Sequence, residues 1–183
     1  IHDFADAALR AKKAGFDGVE IHSAHGYLLN QFYSPLSNQR TDLYNGQTIE
    51  GRIHLHLQII KAVREAVGDD YPLALRLGAC DYMTGGSTIH DSVKAACMFE
   101  NAGIDLLDIS GGFCGYINPT NKQQGYFSEI TEAIKKVVHI PVLLTGGITS
   151  GAVANELLEE DKADLIGVGR SIMKDSLWAK NNL

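Results

Sequence analysis

Two imidazoles and a phenol fall within six residues of the stretch VEIHSAHGYLLNQFYSPLSNQRTDLYNG, at His22, His25 and Tyr27. Imidazole N–H groups stabilise negative charge growing on an oxygen, and a positioned phenol hands a proton to a basic carbon or enolate. Plainer readings compete. An HxxH pair can be half of a zinc site, but no third ligand lies nearby, and His54 and His56 belong to a helical stretch. The pair can also be ordinary exposed loop histidines, and the tyrosine an ordinary packing residue at the loop base.

A second group of residues suits an anion. LLTGGITS (143–150) and IGVGRSIM (166–173) each place glycines after an apolar run, and Arg170 follows the second. Glycine lets backbone N–H groups approach a phosphate, and arginine adds a charge-assisted contact. Glycine pairs alone say little, because turns use them constantly. Arg76 is a lone cation inside the apolar run LALRLG (73–78).

The elements that must position these residues repeat along the chain. Short apolar runs at 18–22, 73–77, 106–110, 142–145 and 165–168 alternate with helical patterns near 49–67, 88–102, 127–138, 150–160 and 171–180. Residues 3–14 read as an amphipathic helix ended by Gly15. KAGFDGVEI and NAGIDLLDI share one grammar, and DKADLIGVG follows it without the glycine. Strands alternating with helices predict βαβ units and a parallel sheet. Parallel strands buried on both faces are nearly all apolar, yet Glu20, His22, Arg76, Asp108 and Ser110 stand at alternate strand positions. Such a polar stripe fits a barrel lumen or crevice. A buried ion pair, Glu20 with Arg76, is the competing account. In (β/α)8 barrels chemistry gathers at the C-terminal strand ends, and the last two βα loops often bind phosphate.

The 183 residues suffice for one domain, 1–183, with 45% hydrophobic and 21% charged content. A net charge of −6 without a Lys/Arg run argues against nucleic acid or an anionic membrane as partner. No apolar run approaches the ~20 residues of a membrane span, and no signal-peptide pattern is seen. Cys80, Cys97 and Cys114 are an odd set without CxxC spacing, which predicts reduced thiols and a cytoplasmic location.

The His-x-x-His-Gly-Tyr stretch, its SPLSNQRTDLY continuation, the lone arginine of LALRLG, and the TGGI and ADLIGVGR segments together resemble the Old Yellow Enzyme family of NADH:flavin oxidoreductases and ene-reductases. The resemblance covers essentially the whole chain. It implies a TIM-barrel type α/β fold, here a partial barrel of about five parallel strands (strands 4 to 8, the C-terminal part). It implies FMN as cofactor, NADH or NADPH as co-substrate, and an activated alkene as substrate. By the same resemblance His22 and His25 are the oxyanion donors and Tyr27 the proton donor. Arg76 lies beside the flavin ring, and Gly147, Gly169 and Arg170 hold its phosphate. Arg40, Asp42 and Tyr44 brace their loop, and Cys114 has no assigned role. Ile1 is not a start residue, so a truncated barrel is expected to be weakly active or inactive alone, its open edges closed in a homo-oligomer. Two further accounts compete with this one: an inert self-associating half-barrel, and a flavin-free phosphate-binding barrel enzyme.

Overall fold

The apolar runs become five strands in a computed structural model that describes residues 1–182: β1 (Val19–Ser23), β2 (Leu73–Cys80), β3 (Leu106–Gly111), β4 (Val142–Thr145) and β5 (Leu165–Gly167). All are parallel, and each pairs with the next in sequence, giving the order β1-β2-β3-β4-β5. Helices α1 (His2–Lys13), α2 (Leu28–Tyr33), α3 (Ile49–Val67), α4 (Ile89–Asn101), α5 (Ser128–Lys135), α6 (Gly151–Glu159), α7 (Arg170–Lys174) and α8 (Trp178–Asn182) fill the intervals. None of them is long and apolar enough to cross a membrane.

Local chemistry sets the boundaries. Thr48 caps α3 by accepting from Gly51 N–H at 3.1 Å, and Thr88 with Asp91 forms a capping box on α4. The Asp of the repeated grammar stitches strand starts together. Asp105 accepts from Leu73 N–H at 2.8 Å, and Asp164 accepts from Val142 N–H at 2.8 Å. Each aspartate thereby satisfies the first amide of the preceding strand and carries a basic partner, Arg64 or Lys135.

Two differences from the sequence pattern matter. β2 runs on to Cys80, so Arg76 lies in mid-strand and not at its end. Gly78 makes this possible: a Cβ there would meet Gly112 Cα at 2.9 Å and Ala24 Cα at 3.0 Å, so only glycine lets the three strand ends converge. The helix expected over 171–180 is split, because Asp175 turns the chain and its side chain accepts from Leu177 N–H at 2.9 Å.

The sheet has unequal faces. Ile21, Leu73, Leu75, Leu77, Leu107, Ile109, Val142 and Leu144 point to the helices and are buried among Ile53, Ile60, Phe99 and Ile130. The other face carries Glu20, His22, Ala74, Arg76, Leu143, Thr145 and Leu165, all partly or fully exposed. Parallel sheets ordinarily have both faces covered. One clad face and one open, polar-lined face is the geometry of part of a barrel wall, whose open side is lumen.

Candidate active site

β1 ends at Ser23, and the next residues bend sharply. His25 and Gly26 take left-handed backbone at φ 59° and 78°, a conformation that costs a non-glycine residue about 1 kcal/mol or more. The turn is made by His25 together with Gly26. The strain is held by several bonds: Gly26 N–H donates to Asn30 Oδ1 at 2.7 Å, Gln31 Nε2 to the Gly26 carbonyl at 2.7 Å, and Tyr27 N–H to the Ala24 carbonyl at 3.2 Å. The bend brings the His22 and His25 rings to 5.3 Å between centroids, edge to face, whereas a continuous strand would set them on opposite faces. Tyr27 comes within 5.4 Å of His22 while its side chain remains exposed.

Electrostatics keep both imidazoles neutral. Burial, then the nearby Arg76 charge, lower the His22 pKa, against a raising hydrogen bond with the Ala24 backbone. The same two causes, plus His22, bring His25 down to about 4. His25 Nε2 bonds Ser110 Oγ at 2.7 Å, which orients the ring and leaves Nδ1 for another partner. An NMR titration of the His25 ring is therefore expected to show no inflection near pH 6.5, and protonation only near pH 4. The direction follows because burial and a neighbouring cation both disfavour the imidazolium. A midpoint at the ordinary imidazole value would mean that His25 is solvated.

The registers His22↔Arg76 and Arg76↔Asp108 put these three side chains on the open face at one level. The carboxylate facing Arg76 is Asp108, with Nε–Oδ2 at 3.4 Å, and not Glu20, the partner in the competing account. Glu20 stands one layer lower, opposite Ala74, while Asp108 is in register with the arginine. Burial dominates the pair, raising Asp108 to about 7 despite Arg76, with Glu20 adding to the rise. Arg76 Nε and Asp108 Oδ1 are buried without a hydrogen-bond partner. Unmatched polar atoms in a site wall are groups to which a ligand can bond.

A cavity of about 1040 Å³ opens above this layer and is lined by His25, Arg76, Ser110, Gly147, Gly169 and Arg170 among others. Its far wall is the two glycine loops. Gly146 and Gly147 adopt φ 141° and 70°, and space around Gly169 is open, with no atom within 4 Å of a Cβ built there. α7 has only five residues, so an anion here would rely on loop N–H groups and Arg170.

The loop between α2 and α3 braces as expected. Arg40 pairs with Asp42, and Tyr44 Oη donates to Gln58 Oε1 at 2.9 Å. Sequence reasoning passed over Asn38, whose amide donates to both Phe32 and Tyr44 carbonyls at 2.8 Å. It also passed over Asp81, Tyr116 and Tyr126, whose partners lie in other loops. Only the type of Asp81, an acid closing an apolar strand, offered any signal.

A parallel βα sheet with its polar residues at the C-terminal strand ends places the chain among enzymes of the TIM-barrel type. Residues 1–181 match the NADH:flavin oxidoreductase / NADH oxidase family, and the chain belongs to it. It is 42% identical to an NADH oxidase of Thermoanaerobacter brockii over 184 residues, covering 98% of this chain and 28% of that protein. It is 42% identical to an NADPH dehydrogenase of Halalkalibacterium halodurans over 180 residues, covering 98% of this chain and 52% of the relative. Among solved structures it resembles a 2-naphthoyl-CoA reductase (TM-score 0.89, 29% identity, 99% of this chain and 29% of the other). An Old Yellow Enzyme homologue from Zymomonas mobilis superimposes with TM-score 0.77 at 29% identity, over all of this chain and 52% of the other. The chain thus spans about half the length of the shorter relatives.

Proposed function

We propose that this chain carries the catalytic face of an FMN-dependent oxidoreductase that reduces activated alkenes (enones, enoates or dienoyl compounds) with NADH or NADPH as donor. One observation carries the reading. Two imidazoles held neutral and 5.3 Å apart stand beside a phenol, and one of them, His25, lines the same cavity as Arg76 and the glycine loops.

The residues present fit FMN. The cavity is large enough for a tricyclic ring with a phosphate tail, Arg76 lines it with its Nε held only by the 3.4 Å ion pair to Asp108, and positive-φ glycines face its far end. Arg76 would hold the ring's electron-rich edge with a permanent charge; Gly147, Gly169 and Arg170 would hold the phosphate. FMN, when bound, supplies hydride to the alkene, and NAD(P)H supplies the reducing equivalents. His22 and His25 donate N–H bonds to the substrate oxygen on which charge grows. With one ring nitrogen on Ser110, His25 is fixed in direction before substrate arrives. Tyr27, its side chain exposed beside His22, gives the proton to the α-carbon.

A flavin-free phosphate enzyme would use the glycine loops but leaves Arg76 and Tyr27 without work. The open face favours further strands or a second copy closing the barrel, and among the described residues the outer edges of β1 and β5 are free to pair.

FMN titration of the purified chain tests the reading. The expected result is a shifted flavin spectrum with weak affinity, because a ring on an open face keeps apolar area in water at about 25 cal/mol per Å². Gel filtration reports whether a second copy closes the face. No spectral change at saturating FMN would overturn the flavin assignment for this chain.

A further inference from the structure

Tyr126 lies between β3 and α5, far in sequence from both glycine loops, yet it touches each of them. Arg170 Nη2 donates to its hydroxyl at 2.9 Å, and that hydroxyl donates in turn to the Tyr116 carbonyl. Its ring covers the other loop: a Cβ built on Gly147 would come within 2.5 Å of Tyr126 Cε1, and one on Gly146 within 2.9 Å of Cε2. The ring is buried and packs edge-on against Phe127 at 4.8 Å. The Arg170 guanidinium also lies 5.4 Å from the centre of the Tyr116 ring.

We propose that Tyr126 is a positioning residue for the anion site: its ring sets the glycine loop, and its hydroxyl aims the Arg170 guanidinium at a phosphate ester. The proposal rests on the FMN reading above and adds to it how the two loops are held in register. A free arginine loses its rotamer freedom on meeting an anion, whereas one tied at one nitrogen and laid on a ring has already lost it. Tyr126 takes one of the five N–H donors of Arg170, and the others remain for the anion. No charge or acidity change at Tyr126 is required. The effect is preorganisation, so it concerns the phosphate and leaves the ring system of the flavin untouched.

FMN and riboflavin differ by that phosphate, and flavin fluorescence reads the binding of each. Both are titrated into the full chain and into Tyr126→Phe, Arg170→Gln and the double variant. The chain itself is expected to prefer FMN. Tyr126→Phe keeps the ring over the glycines and is expected to weaken FMN about tenfold, the scale of one hydrogen bond to a charged group, with riboflavin unchanged. In the Arg170→Gln background the same change is expected to cost nothing further. If Tyr126→Phe does not fold, Tyr116→Leu, which removes only the ring beneath Arg170, is expected to shift the preference in the same direction. The proposal is overturned if FMN and riboflavin weaken equally, if FMN binding is unchanged, or if the two losses add. A chain that binds both flavins equally well overturns the phosphate site itself, and the role of Tyr126 with it.

Discussion

On the function proposed above, alanine at His22 or at His25 is expected to lower alkene reduction by the complete, flavin-loaded barrel by about 10²–10³-fold, the usual result of losing one oxyanion donor. The size follows from geometry. Both rings are neutral, so each has a single N–H to offer, and the bend at His25 brings the second beside the first. Phenols, which present an oxyanion to the same donors, bind more weakly to both variants. Reduction of the flavin by NAD(P)H suffers less, since no charge builds on a substrate oxygen in that step. His25→Ala also frees Ser110, so of the two its effect is the less purely one of donor loss. Steady-state rates with an enone, stopped-flow flavin reduction and phenol titrations check the three parts. Normal turnover and normal phenol binding in both variants would make the pair structural.

Alanine at Asp81 is expected to destabilise the loops at the C-terminal end of β2. This fully buried carboxylate follows β2 and ties three loops: it accepts from Ser34 Oγ at 2.6 Å, Ser87 N–H at 2.7 Å and Phe113 N–H at 2.7 Å. Gly86 and Gly112 are glycines because the carboxylate side chain fills the space a Cβ would take, at 2.6 and 2.2 Å. Removing it strands donors at about 1–3 kcal/mol each, so a loss of ~3 kcal/mol or more is expected. For a chain of this size that is a fall in Tm of roughly 6–12 °C. Asp81→Asn, which keeps the volume and one acceptor, loses less. A thermal melt of both variants decides, and an unchanged midpoint for alanine would show that water replaces the carboxylate.

The alternation of helices and strands was legible because the patterns are local. Apolar runs, helical periodicity, the glycine after the first helix and the Ala-Gly-x-Asp grammar put α1, α3, α4 and α6, and every strand but β2, within one or two residues of where they lie. Local signals also misled. The apolar run around Arg76 did not reveal that the strand continues, since that depends on Gly78 meeting Gly112 and Ala24. Asp175 broke the last helix through a side-chain bond that periodicity does not weigh. In the candidate site, strand alternation found the polar stripe but not its pairing. Whether Arg76 meets Glu20 or Asp108 is a matter of register between strands, which no single strand encodes. The roles of Asp81 and Tyr126 stayed hidden for the same reason: each acts on partners in loops far away in sequence.

The strictly sequential strand order has a kinetic side. Each of β2 to β5 hydrogen-bonds the strand that precedes it in the chain, so within this sheet every pairing spans a single βα unit. Register partners lie 22 to 54 residues apart, one βα unit at a time, and parallel pairing over such spans forms more slowly than local contacts do. On the ribosome each βα unit can dock as it emerges, with the previous strand as template. Hydrophobic cladding on one face is then complete unit by unit, and each newest strand offers the next one its edge. The polar face with His22 and Arg76 takes no part in that growth, which leaves its residues free to be chosen for chemistry.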